Sequence, residues 1–256
     1  MLYEGLILIK TAAMKKIVML LIVMLAANYA LARHWQDEYG VPYVVLTVTD
    51  PWLMVIGSDV PTIAIYERGD VIYKNPDGYF SVKLDSTQLV ELWNQLQISQ
   101  ELLDLPDYIA AAQATDMPTN YLMLVSDTVR MKTVYGDLQQ DETSRARTPE
   151  AFLSVYDQLV NYRNEQAEKW LPDTVEVMLT RFDHSAEKPV AWPEGWPDLN
   201  DKTTVSINPN LYSVFIPKSE FDNLLKLLSS LSYRRAVEIN GRKFSVTYRL
   251  PFPNLR

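Results

Sequence analysis

Along this chain, segments in which apolar and polar residues alternate give way several times to segments in which apolar residues recur every three or four positions. The alternating segments are rich in β-branched and aromatic residues and are bounded by turn residues, which predicts strands. Several of them follow one another across short turns, so we expect antiparallel hairpins. The segments that predict strands are 44–48, 52–56, 62–66, 71–73, 79–84, 121–126, 129–135, 175–181, 203–207, 212–216, 236–239 and 244–250.

Helical spacing first appears after Asp85. Asp85 and Gln88 have the separation of a capping box, and residues 86–96 then carry one apolar stripe. A second helical pattern covers residues 102–113 and is interrupted by Pro106. We therefore predict an amphipathic helix from residue 86 and a broken helix after it.

Two more amphipathic helices are predicted farther along the chain. Thr148-Pro149-Glu150 combines a capping residue, a residue suited to the first helical position and an acid beside the positive end of the helix dipole. The apolar pattern that follows predicts a helix ending near residue 169. Ser219 is predicted to cap the last helix, and the charged segment 136–147 is predicted to be a loop.

The same order of elements recurs three times: strands, a capped start and an amphipathic helix, with the helices beginning near residues 86, 149 and 219. We predict an α+β fold in which antiparallel β hairpins form a sheet and about three amphipathic helices pack on one face, as recurring β-β-α units. Residues 33–172 would hold the N-terminal units, and residues 173–256 the C-terminal unit with its closing hairpin. The alternative is that both parts form one continuous domain.

The first 32 residues have the organisation of a secretory signal peptide. Lys15-Lys16 precedes an apolar run over residues 17–27, and the small-residue pattern Ala-Leu-Ala follows at 30–32. The run is too short to span a bilayer, which needs about 20 apolar residues. We predict that residues 1–32 are removed on export, with Met14 as an alternative start. An uncleaved membrane anchor is the other interpretation of this segment.

Composition narrows the classes of function. The chain has 24 Lys and Arg against 32 Asp and Glu, a net charge of −8, and removal of residues 1–32 would make it −10. Such acidity argues against nucleic acid and anionic membrane surfaces as partners. The chain has no Cys and only two His, which excludes thiolate chemistry, a lipid-bearing Cys and a His-rich metal site. Its eight Gly are too scattered for glycine-rich nucleotide-binding loops.

Trp192 and Trp196 are the candidate binding residues, and they lie in a Pro-rich connector over residues 183–202. Proline restricts the backbone, so the two indoles could present flat surfaces to a sugar or to the apolar edge of a partner. The alternative is that both rings fold back and fill the edge of the core. The binding hypothesis therefore predicts an exposed aromatic surface at this connector.

Asp183, His184 and Glu187 are the candidate metal ligands. They place two carboxylates and an imidazole within five residues, and these groups bind divalent metals. The segment follows a predicted strand and precedes Pro189, so a solvated loop is the alternative. No other constellation in the sequence indicates a cofactor, and we predict none.

Several short segments resemble an uncharacterised family of bacterial exported proteins and lipoproteins. These segments are the hairpin at 65–73, the amphipathic segment at 86–96, Trp192-Pro193 and the closing Pro-rich sequence at 249–253. In order, they cover most of residues 52–253. Many members of the family look like lipoproteins, whereas this chain has no Cys to carry a lipid. The resemblance implies export and an unknown function.

Taken together, these features predict an exported binding or interaction protein without catalytic activity. It would act in the periplasm or outside the cell, with no stable membrane span after removal of the signal. Its partner would be an envelope or secreted protein, or a wall polysaccharide. The alternative is a carboxylate- or metal-dependent hydrolase that acts on an envelope substrate, with the metal near Asp183 and His184.

Overall fold

The structure of the chain, a computed structural model, describes residues 38–49, 51–52 and 59–255. Two predictions lie outside these residues, namely the signal peptide at 1–32 and residues 53–56 of the strand predicted at 52–56. In the described part of the chain, no helix combines the length and the apolar composition that crossing a membrane requires.

Eight strands form the first sheet: β1 (Pro42–Val48), β2 (Ile63–Tyr66), β3 (Asp70–Asn75), β4 (Gly78–Lys83), β5 (Tyr108–Ala110), β6 (Thr119–Val125), β7 (Val129–Tyr135) and β8 (Glu168–Lys169). Their order across the sheet is β5-β7-β6-β1-β2-β3-β4-β8. All neighbours are antiparallel except β5 and β7, which are parallel. The hairpins β2–β3 and β6–β7 were both expected from the turns between them.

Six strands form the second sheet: β9 (Thr174–Arg181), β10 (Val190–Ala191), β11 (Val205–Asn208), β12 (Leu211–Pro217), β13 (Val237–Ile239) and β14 (Arg242–Arg249). Their order is β10-β13-β14-β9-β12-β11, and only β10 and β13 pair in parallel. The closing hairpin turns at Asn240 and Gly241, which have φ angles of 49° and 71°. Two successive positive φ angles are what a tight hairpin turn requires, and Asn-Gly supplies them.

Five α-helices accompany the two sheets in the part of the chain that the structure describes, and together they confirm the predicted α+β class. The helices are α1 (Ser86–Leu96), α2 (Gln100–Asp104), α3 (Glu142–Ala146), α4 (Glu150–Val160) and α5 (Phe221–Ser229), and a 3₁₀ turn (Lys218–Glu220) precedes α5. The capping box before α1 is confirmed as well. The Asp85 carboxylate accepts the N–H groups of Thr87 and Gln88, and the Gln88 side chain accepts the N–H of Asp85.

The first sheet is the middle layer of the molecule, because both of its faces are covered along the central strands. Val44 and Leu46 of β1 belong to an apolar cluster with residues of α1 and α4, whereas Val45 belongs to a second cluster with residues of β9, β12 and β14. Leu224 of α5 is in this second cluster. The helices are therefore divided between two apolar clusters instead of sharing one face.

The helix predicted to reach residue 169 ends at Val160. Asn161 closes it, because its N–H and its side-chain Nδ2 both donate to the Asp157 carbonyl, at 3.1 and 2.8 Å. The sequence beyond Asn161 is mostly polar and offers no apolar stripe to bury. Residues Glu168–Lys169 instead pair with Phe80 and Ser81 at the edge of the first sheet.

Two predicted caps are wrong. The hydroxyl of Thr148 donates to the Ser144 carbonyl at 2.8 Å, so Thr148 closes α3 and does not cap α4. Ser219 lies within the 3₁₀ turn, and no side chain caps α5. A capping residue needs an extended backbone, and Ser219 already has a helical one.

Two segments between the predicted elements also differ from expectation. Residues 136–147, predicted to be a loop, contain α3, whose first N–H groups are capped by the Asp141 carboxylate. The broken helix predicted over residues 102–113 is α2 followed by β5, which pairs with β7. Both helices have five residues, too few for an apolar stripe to reveal them.

Candidate functional site

A cleft opens beside the C-terminal half of α4, where β1 and β3 end and β2 begins. Its first part has a volume of about 630 Å³ and is lined by Val48 of β1, Thr62 just before β2 and Lys74 of β3, and by Tyr156 and Asp157 from α4, among others. This volume is in the range of sites that hold small molecules. We call this space, together with its extension described next, the α4 cleft.

The second part of the α4 cleft has a volume of about 460 Å³ and extends toward the start of β6. Four residues line both parts, which are therefore adjacent: Val48, Leu138, Gln139 and Tyr156. Asn120 of β6 and the segment 116–118 complete the second part. The cleft thus brings together residues from β1, β6, α4 and the loop after β7.

Two polar atoms buried in the wall of the cleft have no hydrogen-bond partner among the described residues. They are the hydroxyl of Tyr156 and Oδ1 of Asn120, and the two residues are 1% and 0% exposed. The amide nitrogen of Asn120 is fully engaged, because it donates to the carbonyls of Val134 at 3.0 Å and Gly136 at 2.8 Å. Buried polar groups are paired in the large majority of cases, so two unpaired ones at one cavity are unusual.

Burial also affects the ionisation of this phenol. Desolvation raises the pKa of Tyr156 to about 12, and a contact with the Gln139 side chain, which does not meet the geometry of an ordinary hydrogen bond, acts in the opposite direction. The hydroxyl is therefore protonated throughout the physiological range. It can donate one hydrogen bond and accept others, but it cannot act as a base near neutral pH.

The two parts of the cleft carry opposite charge. The first part contains Lys74, Arg145 and Arg163 against a single acid, Asp157. The second part contains Asp116 and Asp137 and no basic residue. Since the whole chain has a net charge of −8, the basic end of the cleft is a local exception.

Hydrogen bonds hold the wall of the first part in place. The Arg145 guanidinium donates to both carboxylate oxygens of Asp157, at 3.0 and 2.6 Å, and to the carbonyl of Leu138 at 2.8 Å. This fork connects α3 to α4 and to the loop after β7. Because Asp157 neutralises Arg145, the positive charge of this part comes from Lys74 and Arg163.

Trp192 and Trp196 lie together but away from the α4 cleft. Their rings are 5.1 Å apart in an edge-to-face arrangement, and both pack against the second apolar cluster. The Trp192 indole N–H donates to the Pro197 carbonyl at 3.0 Å, and that of Trp196 to the Glu220 carboxylate at 3.1 Å. Both side chains are half-buried, with their polar atoms engaged inside the protein. Binding at this pair stays a prediction.

Asp183, His184 and Glu187 are not gathered into one cluster. The Asp183 carboxylate accepts a hydrogen bond from Arg181 at 2.7 Å, and the Glu187 carboxylate accepts one from Ser232 at 2.9 Å. Within residues 38–49, 51–52 and 59–255, no group of three or more His, Asp or Glu side chains is arranged to hold a metal ion. Metal binding at this segment stays a prediction, and the geometry adds nothing in its favour.

Other carboxylates have pKa values lowered by hydrogen bonds. The hydroxyl of Ser144 is the main cause for Asp141, the amide of Asn240 for Asp198 and the amide of Asn223 for Glu220. A general acid near neutral pH needs a raised carboxyl pKa, which is the opposite direction. These three groups therefore serve the local structure and give no support to acid catalysis.

One end of the first sheet presents apolar side chains to solvent. Tyr108, Tyr121, Val129 and Met131 lie on the same face of β5, β6 and β7 and are 38–66% exposed. Met123, on the same face nearer β1, packs against the second apolar cluster. An exposed aromatic surface therefore exists, but on this sheet and not at the Trp connector.

The sequence analysis missed the residues of the α4 cleft. Tyr156 was taken as part of the apolar stripe of its helix, and Asn120 lay just before a predicted strand. A signal was present in the strands, because Asn120 and Lys132 are polar residues at positions on the buried side of β6 and β7, in line with Leu122 and Val134. Lys132 is buried, and its ammonium donates to the Leu105 carbonyl and to the Asp107 carboxylate. Of these two residues, Asn120 is the one with an unpaired polar atom, its Oδ1.

No family model, no curated protein and no solved structure matches this chain. The resemblance to exported bacterial proteins therefore stays a prediction.

Proposed function

We propose that this chain is an exported binding protein without catalytic activity, and that it holds a ligand in the α4 cleft. The observation that carries the proposal is the pair of unpartnered buried atoms, the Tyr156 hydroxyl and Asn120 Oδ1. Leaving such a group unpaired costs about 1–3 kcal/mol, so a protein retains it when something else uses it. A bound ligand that offers hydrogen bonds would use both atoms.

Gln139 lies at the Tyr156 hydroxyl. Its side chain is exposed, lines both parts of the cleft and lies beside the Tyr156 hydroxyl. A rotation of this one side chain would uncover the hydroxyl without moving a strand or a helix, and exposed side chains change rotamer within nanoseconds. The cleft is therefore compatible with reversible binding by a rigid scaffold.

Export rests on the signal-like segment at 1–32 and on the acidic composition. An envelope or secreted protein and a wall polysaccharide stay the proposed partners. The cleft favours a small molecule or the end of a longer chain, because its volume suits a ligand of limited size and not the surface of a protein.

A hydrolase is the rival. It would need one carboxyl with a raised pKa or a bound metal near the ligand. Asp137 and Asp157 line the cleft, but Asp157 is paired with Arg145 and Asp137 accepts backbone N–H groups from Gln139 and Gln140. Both acids therefore help to hold the wall of the cleft in place, and Asp137 keeps one oxygen for a ligand, which supports binding over hydrolysis.

The test is a ligand screen followed by NMR titration of backbone amides on the full chain. Chitotriose, alanine peptides and inorganic phosphate are the probes, and Tyr156→Phe is the variant. We expect shifts confined to the cleft and at least about threefold weaker binding for the variant, the loss of one hydrogen bond. Tyr121→Phe, on the exposed sheet face, is the matched control and should bind as the wild type does. Hydrolysis of a probe, or binding by Tyr156→Phe at full strength, would contradict the proposal.

A further inference from the structure

We infer that the ligand of the α4 cleft is a zwitterion of the peptide class, a short peptide or amino-acid derivative. Its carboxylate would lie at Lys74 and Arg163, its ammonium group at Asp116 and Asp137, and an amide group between them at Tyr156 and Asn120. This inference rests on the proposed function, because it names the ligand class of the same site. Three features of the cleft carry it.

The basic end of the cleft carries positive charge that no ion pair within the described residues neutralises. The Lys74 side chain is exposed and has no hydrogen bond or ion pair within the described part of the chain. One nitrogen of Arg163 donates to the carbonyls of Val160 and Tyr162, at 3.3 and 2.6 Å, which leaves its remaining N–H groups available. An ammonium and a guanidinium together favour a carboxylate or a phosphate.

The acidic end has carboxylate oxygens that are equally available. One oxygen of Asp137 accepts the N–H groups of Gln139 and Gln140, both at 2.9 Å, while its second oxygen accepts no hydrogen bond from the described residues. Asp116 is exposed, and its carboxylate accepts none from them either. Two such acids at one end of a cavity favour a cation and repel a second anion.

Tyr156, which lines both parts of the cleft, and Asn120, which lines the second part, require a donor and a second polar group from the ligand. Asn120 Oδ1 is an acceptor and requires a donor, because both hydrogens of its amide nitrogen are already committed to backbone carbonyls. The Tyr156 hydroxyl can donate to a carbonyl. A peptide group supplies an N–H and a C=O together, so it would satisfy both atoms.

Other ligand classes satisfy only part of this arrangement. A phosphate would gain from Lys74 and Arg163 but would be repelled by Asp116 and Asp137. A neutral sugar would use the hydrogen bonds but would gain nothing from the separation of charge. Charge complementarity along the whole cleft therefore selects a ligand with one charge of each sign.

The experiment is an NMR titration of the full chain with L-alanine peptides of two and four residues. Each peptide is also tested after acetylation of its amino group, after amidation of its carboxylate, and after both changes. We expect the unmodified peptides to bind and each single modification to weaken binding by about two- to fivefold, the range for an ion pair near solvent. Chitotriose and inorganic phosphate are titrated alongside.

Two charge-neutralising variants locate the ends. Lys74→Gln should reduce the effect of amidation, and Asp137→Asn should reduce the effect of acetylation, since each variant removes the partner of the modified group. Lys202→Gln and Asp127→Asn are exposed controls outside the cleft and should behave as the wild type. Asparagine keeps the oxygen that accepts the two backbone N–H groups, so Asp137→Asn should fold normally.

The outcomes separate this inference from the proposed function. The zwitterion hypothesis is wrong if doubly modified peptides bind as well as the unmodified ones. It is also wrong if chitotriose or phosphate binds at the cleft and the peptides do not. In both cases the proposed binding function stands. If no probe binds, and Tyr156→Phe changes no chemical shift in the titrations, both the zwitterion inference and the proposed binding function fail. Weakening by both single modifications, with the matching loss in the two variants, supports the inference.

Discussion

Arg145 and Asp157 face each other as a two-pronged ion pair, with guanidinium nitrogens 3.0 and 2.6 Å from the two carboxylate oxygens. The pair connects α3 to α4 across twelve positions of sequence and forms one wall of the cleft. Both side chains are more than a third exposed, so water screens their attraction. The contribution of the pair is therefore mainly geometric.

Arg145→Lys tests this geometry. Lysine keeps the charge but cannot form the fork or the additional bond to the Leu138 carbonyl. We expect the free energy of unfolding in urea to fall by about 0.5–1 kcal/mol. Arg181→Lys is the control, because Arg181 meets Asp183 through a single nitrogen at similar exposure, and it should change stability less. Equal losses in the two variants would mean that the fork has no structural role.

Tyr156→Phe should make the unliganded protein more stable. The substitution removes a buried hydroxyl that has no partner and keeps the ring in place, so we expect the free energy of unfolding to rise by about 1 kcal/mol at neutral pH. A decrease would show that the hydroxyl is paired in solution. Urea unfolding of the full chain measures the difference.

The difference in free energy of unfolding between Tyr156→Phe and the wild type should increase at alkaline pH. The phenol has a pKa of about 12 in the folded chain and about 10 when unfolded. Between these values the folded state binds more protons, so wild-type stability falls as pH rises from 10 to 12, by at most about 1.4 kcal/mol per pH unit for this group. Below pH 10 the group causes no change. Unfolding at pH 8 and pH 11, together with phenolate absorbance, checks the window.

Tyr66→Phe should loosen the C-terminal segment. The Tyr66 hydroxyl donates to the Pro253 carbonyl at 2.9 Å, across 187 positions of sequence, and its ring is fully buried. We expect a loss of about 1–2 kcal/mol, because the carbonyl loses its donor. Tyr73→Phe is the matched control, since the Tyr73 hydroxyl makes only long bonds: it donates to the Asn164 carbonyl at 3.5 Å and accepts the Asn164 N–H at 3.3 Å. If both variants lose the same free energy of unfolding, the hydrogen bond to the Pro253 carbonyl contributes no more than the long bonds of Tyr73.

Gly69 and Gly78 should respond differently to alanine. Both have positive φ, at 88° and 122°, but a Cβ on Gly69 would lie 2.3 Å from the Leu84 carbonyl oxygen, whereas one on Gly78 would meet no atom within 4 Å. We expect Gly69→Ala to cost about 3 kcal/mol through this clash, and Gly78→Ala about 1 kcal/mol through backbone strain alone. Thermal unfolding of the two variants gives the comparison, and a milder effect at Gly69 would contradict it.

Predictions from sequence succeeded where one short segment contains the whole physical reason. Asp85 caps α1 because its carboxylate and the N–H groups it accepts are three residues apart or fewer. Asn240-Gly241 makes a hairpin turn because of its own backbone preferences. Thr148 shows the limit, since its hydroxyl could either accept an N–H at the start of α4 or donate to a carbonyl of α3, and it donates to the Ser144 carbonyl. The helix α3 has no apolar stripe, so the sequence did not reveal this second partner.

The order of the strands within the sheets could not be predicted from local sequence. β1 lies between β2 and β6, and the pairing of Val44 with Leu124 spans 80 positions. Alternation indicates that a residue is on one face of a strand, but it does not say what covers that face. The same pattern is therefore consistent with one sheet or two.

The sequence by itself determined the α+β class, most of the hairpins, the start of α1 and the chemistry that the chain lacks, because these depend on composition and on neighbours along the chain. Only the tertiary structure decided that there are two sheets and that Asn120 and Tyr156 share a cleft. Both facts arise from contacts between distant segments, where burial of apolar surface outweighs local preference. Whether the Tyr156 hydroxyl and the Asn120 amide oxygen are paired depends on such distant contacts, and the local sequence contains no information about them.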